Sequence, residues 1–234
     1  MIGTLINKRK LCLGTLEFTF ELPESISFTA GEYVFVTLTK LDIPDDRGPR
    51  RHFSILNDPQ DSGHVKITTR IRDTGFKQTL NALPFGGTVD ISTPYGDLIL
   101  PDDEKTSVVF IAGGIGITPF MSMLSWMQDD KRQTPVTLLY SNKSRDTTAY
   151  FDELQNLAKE MSNFTLVMFM TQDELWSGET GRLDAAKIQK YVPDIQTPIF
   201  YIVGPEGMNQ AVEDILTELR VPEDHIKRED FTGY

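Results

Sequence analysis

Up to about residue 100 the chain alternates apolar and polar positions with a period of two, in short runs separated by turn residues, as half-buried β-strands do. The runs are residues 16–20, 33–38, 52–56, 65–71 and 88–92, and one short helix, Phe76 to Leu83 between Gly75 and Pro84, interrupts them. Evenly spaced short strands of this kind predict a small antiparallel barrel. Beyond Pro101 the rhythm changes. Apolar strand runs at 107–112, 135–140, 164–170 and 198–203 alternate with helical spacing over 119–128, 148–161, 184–191 and 207–219. Repeated β-α units build a parallel sheet whose ligands gather at the carboxyl ends of its strands. The polar, aperiodic stretch from Pro101 to Lys105 separates the halves and predicts two domains, 1–101 and 102–234.

Composition narrows the function classes. A chain of 234 residues with 39% hydrophobic content can build real cores. Its formal charge of -11 argues against general affinity for nucleic acid or anionic lipid, leaving Lys8-Arg9-Lys10 and Arg50-Arg51 as local basic clusters. The one cysteine, Cys12, permits no internal disulfide and cannot supply the thiolates of an iron–sulfur cluster, so any such cluster belongs to another chain. No apolar run reaches the roughly 20 residues of a membrane span, and the N-terminus lacks a signal-peptide core, which predicts a soluble, cytoplasmic protein without stable membrane insertion.

The densest chemistry lies in Gly113-Gly114-Ile115-Gly116-Ile117-Thr118-Pro119, which follows a strand run and opens a helix. Glycines let backbone N–H groups approach an anion, and a helix start adds positive potential, so the turn reads as a phosphate cradle. Pro119 stands where a G-x-G-x-x-G pattern needs glycine, so the cradle is of another kind. Met121, Met123, Leu124 and Met127 behind it read as the buried side of an amphipathic helix.

Further candidates flank it. Arg50-Arg51-His52-Phe53-Ser54-Ile55 reads first as an edge strand with a solvated arginine and a core phenylalanine. Its second reading is a flavin site with a phosphate clamp, a stacking ring and a hydroxyl. The Gly75-Phe76-Lys77 turn reads either as an ordinary helix start or as a pyrophosphate holder. After the strand ending at Tyr140, Asn142, Lys143 and Arg145 form either a solvated charged loop or the neighbourhood of a nucleotide ribose, where the two cations could pair with a 2′-phosphate. Phe231 and Tyr234 at the terminus read as rings anchored in the sheet core or covering a planar ligand. His52, His64 and His225 have no metal-ligand spacing, and no Ser/His/Asp arrangement supports hydrolysis.

Together, Arg51-His52-Phe53-Ser54, Gly75-Phe76-Lys77, the turn from Gly113 to Pro119, Val203-Gly204-Pro205-Glu206-Gly207-Met208 and Glu229-Asp230-Phe231 resemble the ferredoxin-NADP reductase superfamily, in order and spacing, over essentially the whole chain. The resemblance implies a Greek-key antiparallel β-barrel binding FAD, then an α/β parallel-sheet domain binding NADPH or NADH, with the flavin ring at the cleft between them. It implies that Arg51 pairs with the FAD pyrophosphate, Phe53 stacks on the flavin and Ser54 hydrogen-bonds near its N5, with His52, Thr69, Gly75, Phe76 and Lys77 completing that site. Gly113, Gly114 and Thr118 would take the dinucleotide, helped by Gly204, Pro205 and Met208, with Asn142, Lys143 and Arg145 near the adenosine ribose. Hydride would pass from the nicotinamide to the flavin, and single electrons to a ferredoxin, flavodoxin, cytochrome or oxygenase component docked near Lys8, Arg9, Lys10 or Arg47. Glu229 joins Ser54 and the terminal rings as a catalytic candidate, and either Phe231 or Tyr234 would shield the flavin and swing away for hydride transfer. The sequence departs from the family's pattern in carrying Phe53 for tyrosine, Val203 for a cysteine, and residues beyond Phe231. An FMN-type or ferric-chelate reductase, and a non-catalytic nucleotide-binding subunit of a redox complex, are the alternative readings.

Overall fold

The computed structural model describes residues 1–230. Its contacts divide the chain into two compact units, residues 1–100 with 118–126, and residues 101–117 with 127 onward.

The first unit contains β1 (Ile2–Cys12), β2 (Thr15–Glu21), β3 (Tyr33–Leu38), β4 (Arg50–Ser54), β5 (His64–Arg70), α1 (Gly75–Ala82) and β6 (Thr88–Ile91). The strands form one six-stranded antiparallel sheet in the order β4-β3-β6-β1-β2-β5. Their inward apolar positions, among them Phe18, Phe20, Val34, Val36, Ile67 and Val89, form a single core with Phe76 and Leu80 of α1. Each such side chain withdrawn from water contributes roughly 1.5–3 kcal/mol. The predicted barrel does not close. Among the described residues no ladder joins the edge strands β4 and β5, and across that gap Leu56 N–H donates to Lys66 O at 3.0 Å, beside an Asn57 amide that accepts Lys66 N–H at 2.9 Å. One backbone bond and one side-chain bond thus stand in for a ladder where the chain leaves β4.

β1 has no counterpart among the predicted strands. Ile2 and Ile6 are 47% and 44% exposed, and the register slips between Leu5 and Asn7 and again before Cys12, so no alternation survives in the sequence. Residues 118–126 belong to this unit by their contacts. Ser122 Oγ donates to Asn57 O at 2.8 Å, and a Cβ on Gly31 would lie 2.5 Å from Met123 Cε.

The second unit holds β7 (Val108–Gly113), β8 (Val136–Asn142), β9 (Phe164–Met170), β10 (Glu179–Thr180), β11 (Ile199–Gly204) and β12 (Ile226–Asp230). These are parallel in the order β10-β9-β8-β7-β11-β12. Its helices are α3 (Phe151–Glu160), α4 (Ala185–Tyr191) and α5 (Glu206–Glu218), while α2 (Thr118–Asp129) follows β7 in the chain but lies mostly, through residues 118–126, in the first unit. Met123, Leu124 and Met127 of α2 are buried and Met121 is half-buried, as an amphipathic helix requires. β10, two residues long, and β12, largely charged, escaped the apolar pattern. The strand order reverses at β7, with β8 on one side and β11 on the other. That reversal opens the crevice in which such sheets bind ligands.

Candidate functional site

β4 carries Arg51, His52, Phe53 and Ser54, and strand alternation sends them to opposite faces. Arg51 and Phe53 turn toward α1. The Arg51 guanidinium lies 5.2 Å from the centre of the Phe76 ring, and Phe53 stacks on that ring at 6.0 Å. His52 takes the other face, edge-on to Tyr33 at 5.6 Å and Phe35 at 6.2 Å. Burial, and then the charges of Arg47 and Arg51, hold its pKa below the ordinary value, which keeps the ring neutral at pH 7. Ser54 is 3% exposed, and its Oγ meets no hydrogen-bond partner among the described residues. A buried hydroxyl left so costs on the order of 1–3 kcal/mol.

Arg51 is the hub of the turn before β4. Its Nη1 donates to the carbonyl oxygens of Arg47 at 2.8 Å, Gly48 at 2.9 Å and Arg50 at 2.8 Å, and its Nη2 to Asp45 Oδ1 at 2.5 Å. Asp45 accepts in addition from Phe76 N–H at 2.9 Å and Arg47 N–H at 3.0 Å. The Phe76 bond above all holds the Asp45 carboxyl below the usual carboxylate range. Lys77, in the same turn of α1, is 9% exposed. Burial first, then Arg72, Arg51, Arg47 and Arg70, bring its pKa down to about 8. Thr69 of β5 is buried opposite Leu16. Gly75 has no space for a side chain, since a Cβ would lie 2.2 Å from Ile43 O.

This set fits FAD. A flavin dinucleotide needs an anion seat and a polar atom for its ring edge. Lys77 among arginines, with a carboxylate already bound at the start of α1, supplies the first, and the enclosed Ser54 hydroxyl the second. The motif residues were visible in the sequence; Asp45 was not, because its partner Phe76 lies 31 positions away.

In the second unit the adjacent ends of β7 and β11 bring Gly113 and Gly204 together. A Cβ on Gly113 would lie 2.5 Å from Met208 Sδ and 3.0 Å from Pro205 Cδ, and one on Gly204 2.6 Å from Met208 Cε. Gly116 faces Val203 O, 2.2 Å from where its Cβ would stand. The close approach these glycines permit is therefore, in part, to the β11–α5 corner of the chain itself. Gly114 has φ +56, and its carbonyl accepts from Tyr140 Oη at 2.9 Å. Thr118 opens α2 and is buried.

Asn142 ends β8, 6% exposed, and neither atom of its amide finds a partner among the described residues. Lys143 is exposed. Arg145 turns back to α3, its guanidinium 4.6 Å from the Phe151 ring and 4.0 Å from Asp152. A cavity of about 440 Å³ opens beside these strand ends, walled by Ser141, Thr171, Arg182, Leu183 and Met208 among others. The cation that borders it is Arg182 rather than Lys143 or Arg145, and its place on the wall, beyond β10, had no signal in the sequence. A volume of this size suits a small-molecule site, and the partnerless Asn142 amide beside a nucleotide-sized, partly apolar pocket fits a dinucleotide.

Asn209, fully buried, donates to Gly204 O at 3.2 Å and Glu229 O at 2.9 Å, tying the ends of β11 and β12. Burial raises the Glu229 carboxyl to about 7. Phe231 and Tyr234 lie outside the described residues. In the basic cluster on β1, Lys8 Nζ donates to Asn81 O at 2.6 Å and Arg9 is paired with Glu17 at 3.0 Å.

Two family models cover this geometry: an oxidoreductase FAD-binding domain over residues 3–99 and an oxidoreductase NAD-binding domain over residues 110–214. The chain belongs to the family of FAD- and NAD-binding oxidoreductases. This oxidoreductase is 28% identical to a subunit of the Na(+)-translocating NADH-quinone reductase of Idiomarina loihiensis, over 78% of the chain and 49% of that protein. It is 30% identical to an NADPH oxidoreductase of Mycobacterium tuberculosis, over 80% of the chain and 48% of that protein. It therefore spans about half the length of these relatives. Among solved structures, the Amycolatopsis cytochrome P450 reductase superposes with a TM-score of 0.86 at 21% identity, covering 99% of this chain and 69% of that one. No helix among the described residues is long and apolar enough to cross a membrane.

Proposed function

We propose that this oxidoreductase exchanges electrons between NADPH or NADH and a separate carrier protein through FAD, with residues 1–101 as the FAD-binding domain and residues 102–234 as the NAD(P)-binding domain, in the cytoplasm. The observation that carries the reading is Ser54, a buried hydroxyl without a partner among the described residues, on the strand that also bears Arg51 and Phe53. Bound FAD would supply the means to accept a hydride and release electrons singly. The chain's own residues do the rest. Arg51, Lys77 and the Gly75–Phe76 backbone would hold the pyrophosphate, with Thr69 and His52 at the margins of that site. Ser54 would hold a hydrogen bond to the flavin ring edge, where charge develops on reduction.

For the dinucleotide, Gly113, Gly114, Thr118, Gly204, Pro205 and Met208 are the proposed seat, with Asn142 aimed at a ribose hydroxyl. The cavity beside them would take the adenosine half, and its Arg182 could meet a 2′-phosphate more directly than Lys143 or Arg145. Glu229, neutral up to about pH 7, would donate rather than accept near the end of β11. The terminal rings Phe231 and Tyr234 remain the proposed flavin shield. The acceptor would be a ferredoxin, flavodoxin, cytochrome or oxygenase component.

Colour tests the reading. The purified protein, supplied with FAD, should be yellow, release FAD on denaturation, and bleach anaerobically when NADPH or NADH is added. A protein that takes up no flavin overturns it and favours the nucleotide-binding subunit instead. Uptake of FMN in preference to FAD favours the FMN-type reductase.

A further inference from the structure

We propose that Asp45 is the resident anion of the phosphate seat in the first unit, and that FAD binds by displacing its carboxylate from Arg51 and from the start of α1. The inference rests on the reading of residues 1–101 as an FAD-binding domain, and it names the residue that sets how tightly the cofactor is held.

The Asp45 carboxylate joins two donors that are far apart in sequence, Phe76 N–H at 2.9 Å and Arg51 Nη2 at 2.5 Å. Both are donors proposed above for the pyrophosphate. One N–H cannot direct itself at two anions, and the Asp45 side chain is only 6% exposed, so water screens little of the repulsion between a seated carboxylate and an arriving phosphate. The two anions therefore compete for one place.

The surroundings allow the exchange. A Cβ on Gly75 would come within 2.2 Å of Ile43 O and 2.6 Å of Pro44 O, so residues 43–45 lie directly over the start of α1. Asp42, Ile43, Pro44 and Asp46 are nevertheless exposed, and none belongs to the buried core of the sheet. The segment can lift without opening that core. The bond from Arg51 Nη1 to Arg50 O lies within β4, outside the Asp45 turn, and keeps the guanidinium in position as the carboxylate leaves. Lys77, depressed first by burial and then by Arg72, Arg51, Arg47 and Arg70, stands among cations whose combined charge a diphosphate offsets better than one carboxylate does.

The test titrates apoprotein with FAD, followed by flavin fluorescence, for the wild type, Asp45→Asn and Asp45→Glu, with riboflavin as the phosphate-free control. The asparagine variant should bind FAD about tenfold more tightly than the wild type, riboflavin binding should stay unchanged, and the glutamate variant, which keeps the charge, should not gain. Equal or weaker FAD binding by Asp45→Asn, or the same gain for riboflavin, overturns the proposal. Hydrogen exchange on the wild type gives a readout that needs no variant. Inorganic pyrophosphate should accelerate exchange at residues 42–46, and unaltered or slower exchange there overturns it too. A wild type that takes up no FAD sinks the cofactor reading together with this one, whereas FAD uptake without a gain in Asp45→Asn sinks the exchange alone.

Discussion

A carboxyl group enclosed at a strand end keeps its proton longer than one in water, and Glu229 is such a group, raised to about 7 from an ordinary 4.5 by burial. The unfolded chain gives up that proton above about pH 4.5 while the folded chain holds it to about 7, so between those values the folded state binds more protons and stability falls as pH rises. Glu229→Gln, which imitates the protonated form, should match the wild type at pH 4.5 and exceed it at pH 8 by about 3 kcal/mol. Thermal melts at the two pH values check this, and an equal offset at both would show that the carboxyl titrates normally. At this scale the sequence discloses side chains whose chemistry is intrinsic, such as the hydroxyl of Ser54 and the glycines of the β7 turn. It hides those whose role comes from a distant neighbour. Asp45 matters because Phe76 is folded against it, and Arg145 fails to reach the cavity because Phe151 and Asp152 hold it elsewhere.

Elements are legible when one face is apolar and the other polar. β3 keeps that alternation throughout, and β7, buried at every position, shows instead as a continuous apolar run. β12 escaped because its residues Ile226–Asp230 are largely charged and its place beside β11 depends on partners distant in sequence, the ladder to β11 and the Asn209 amide. The glycines at the corner of β7 and β11 give the clearest test of packing between elements. An added methyl at Gly116 would stand 2.2 Å from a backbone carbonyl, which cannot yield, whereas at Gly113 it meets the flexible end of Met208. Gly116→Ala should therefore cost on the order of 3 kcal/mol, and Gly113→Ala about 1 kcal/mol. Urea unfolding of both variants checks the order, and a reversal would mean that the Val203 carbonyl can move aside.

For the whole molecule, the change of rhythm at Pro101 marks where the chain passes from antiparallel to parallel sheet, but the contacts do not follow the chain so simply. Residues 118–126 pack with the first unit. The helical spacing of that stretch was plain in the sequence; which unit it joins was not, because Ser122 meets Asn57 across 65 positions. A fragment of residues 1–101 lacks that segment and should unfold with a lower m-value and less cooperativity than the intact chain in urea. A sharp, fully cooperative transition would show that the segment is dispensable.

Where the first sheet stays open, Leu56 N–H and the Asn57 amide take up both backbone groups of Lys66, so that part of the β5 edge is not a bare rim onto which a second molecule can add a strand. Arg50 and Arg51 stand on one rim, and Lys66 and Arg70 on the other. Arg51 and Lys66 are each held by a carboxylate, Asp45 and Asp61, so both edges present paired charges to whatever approaches them.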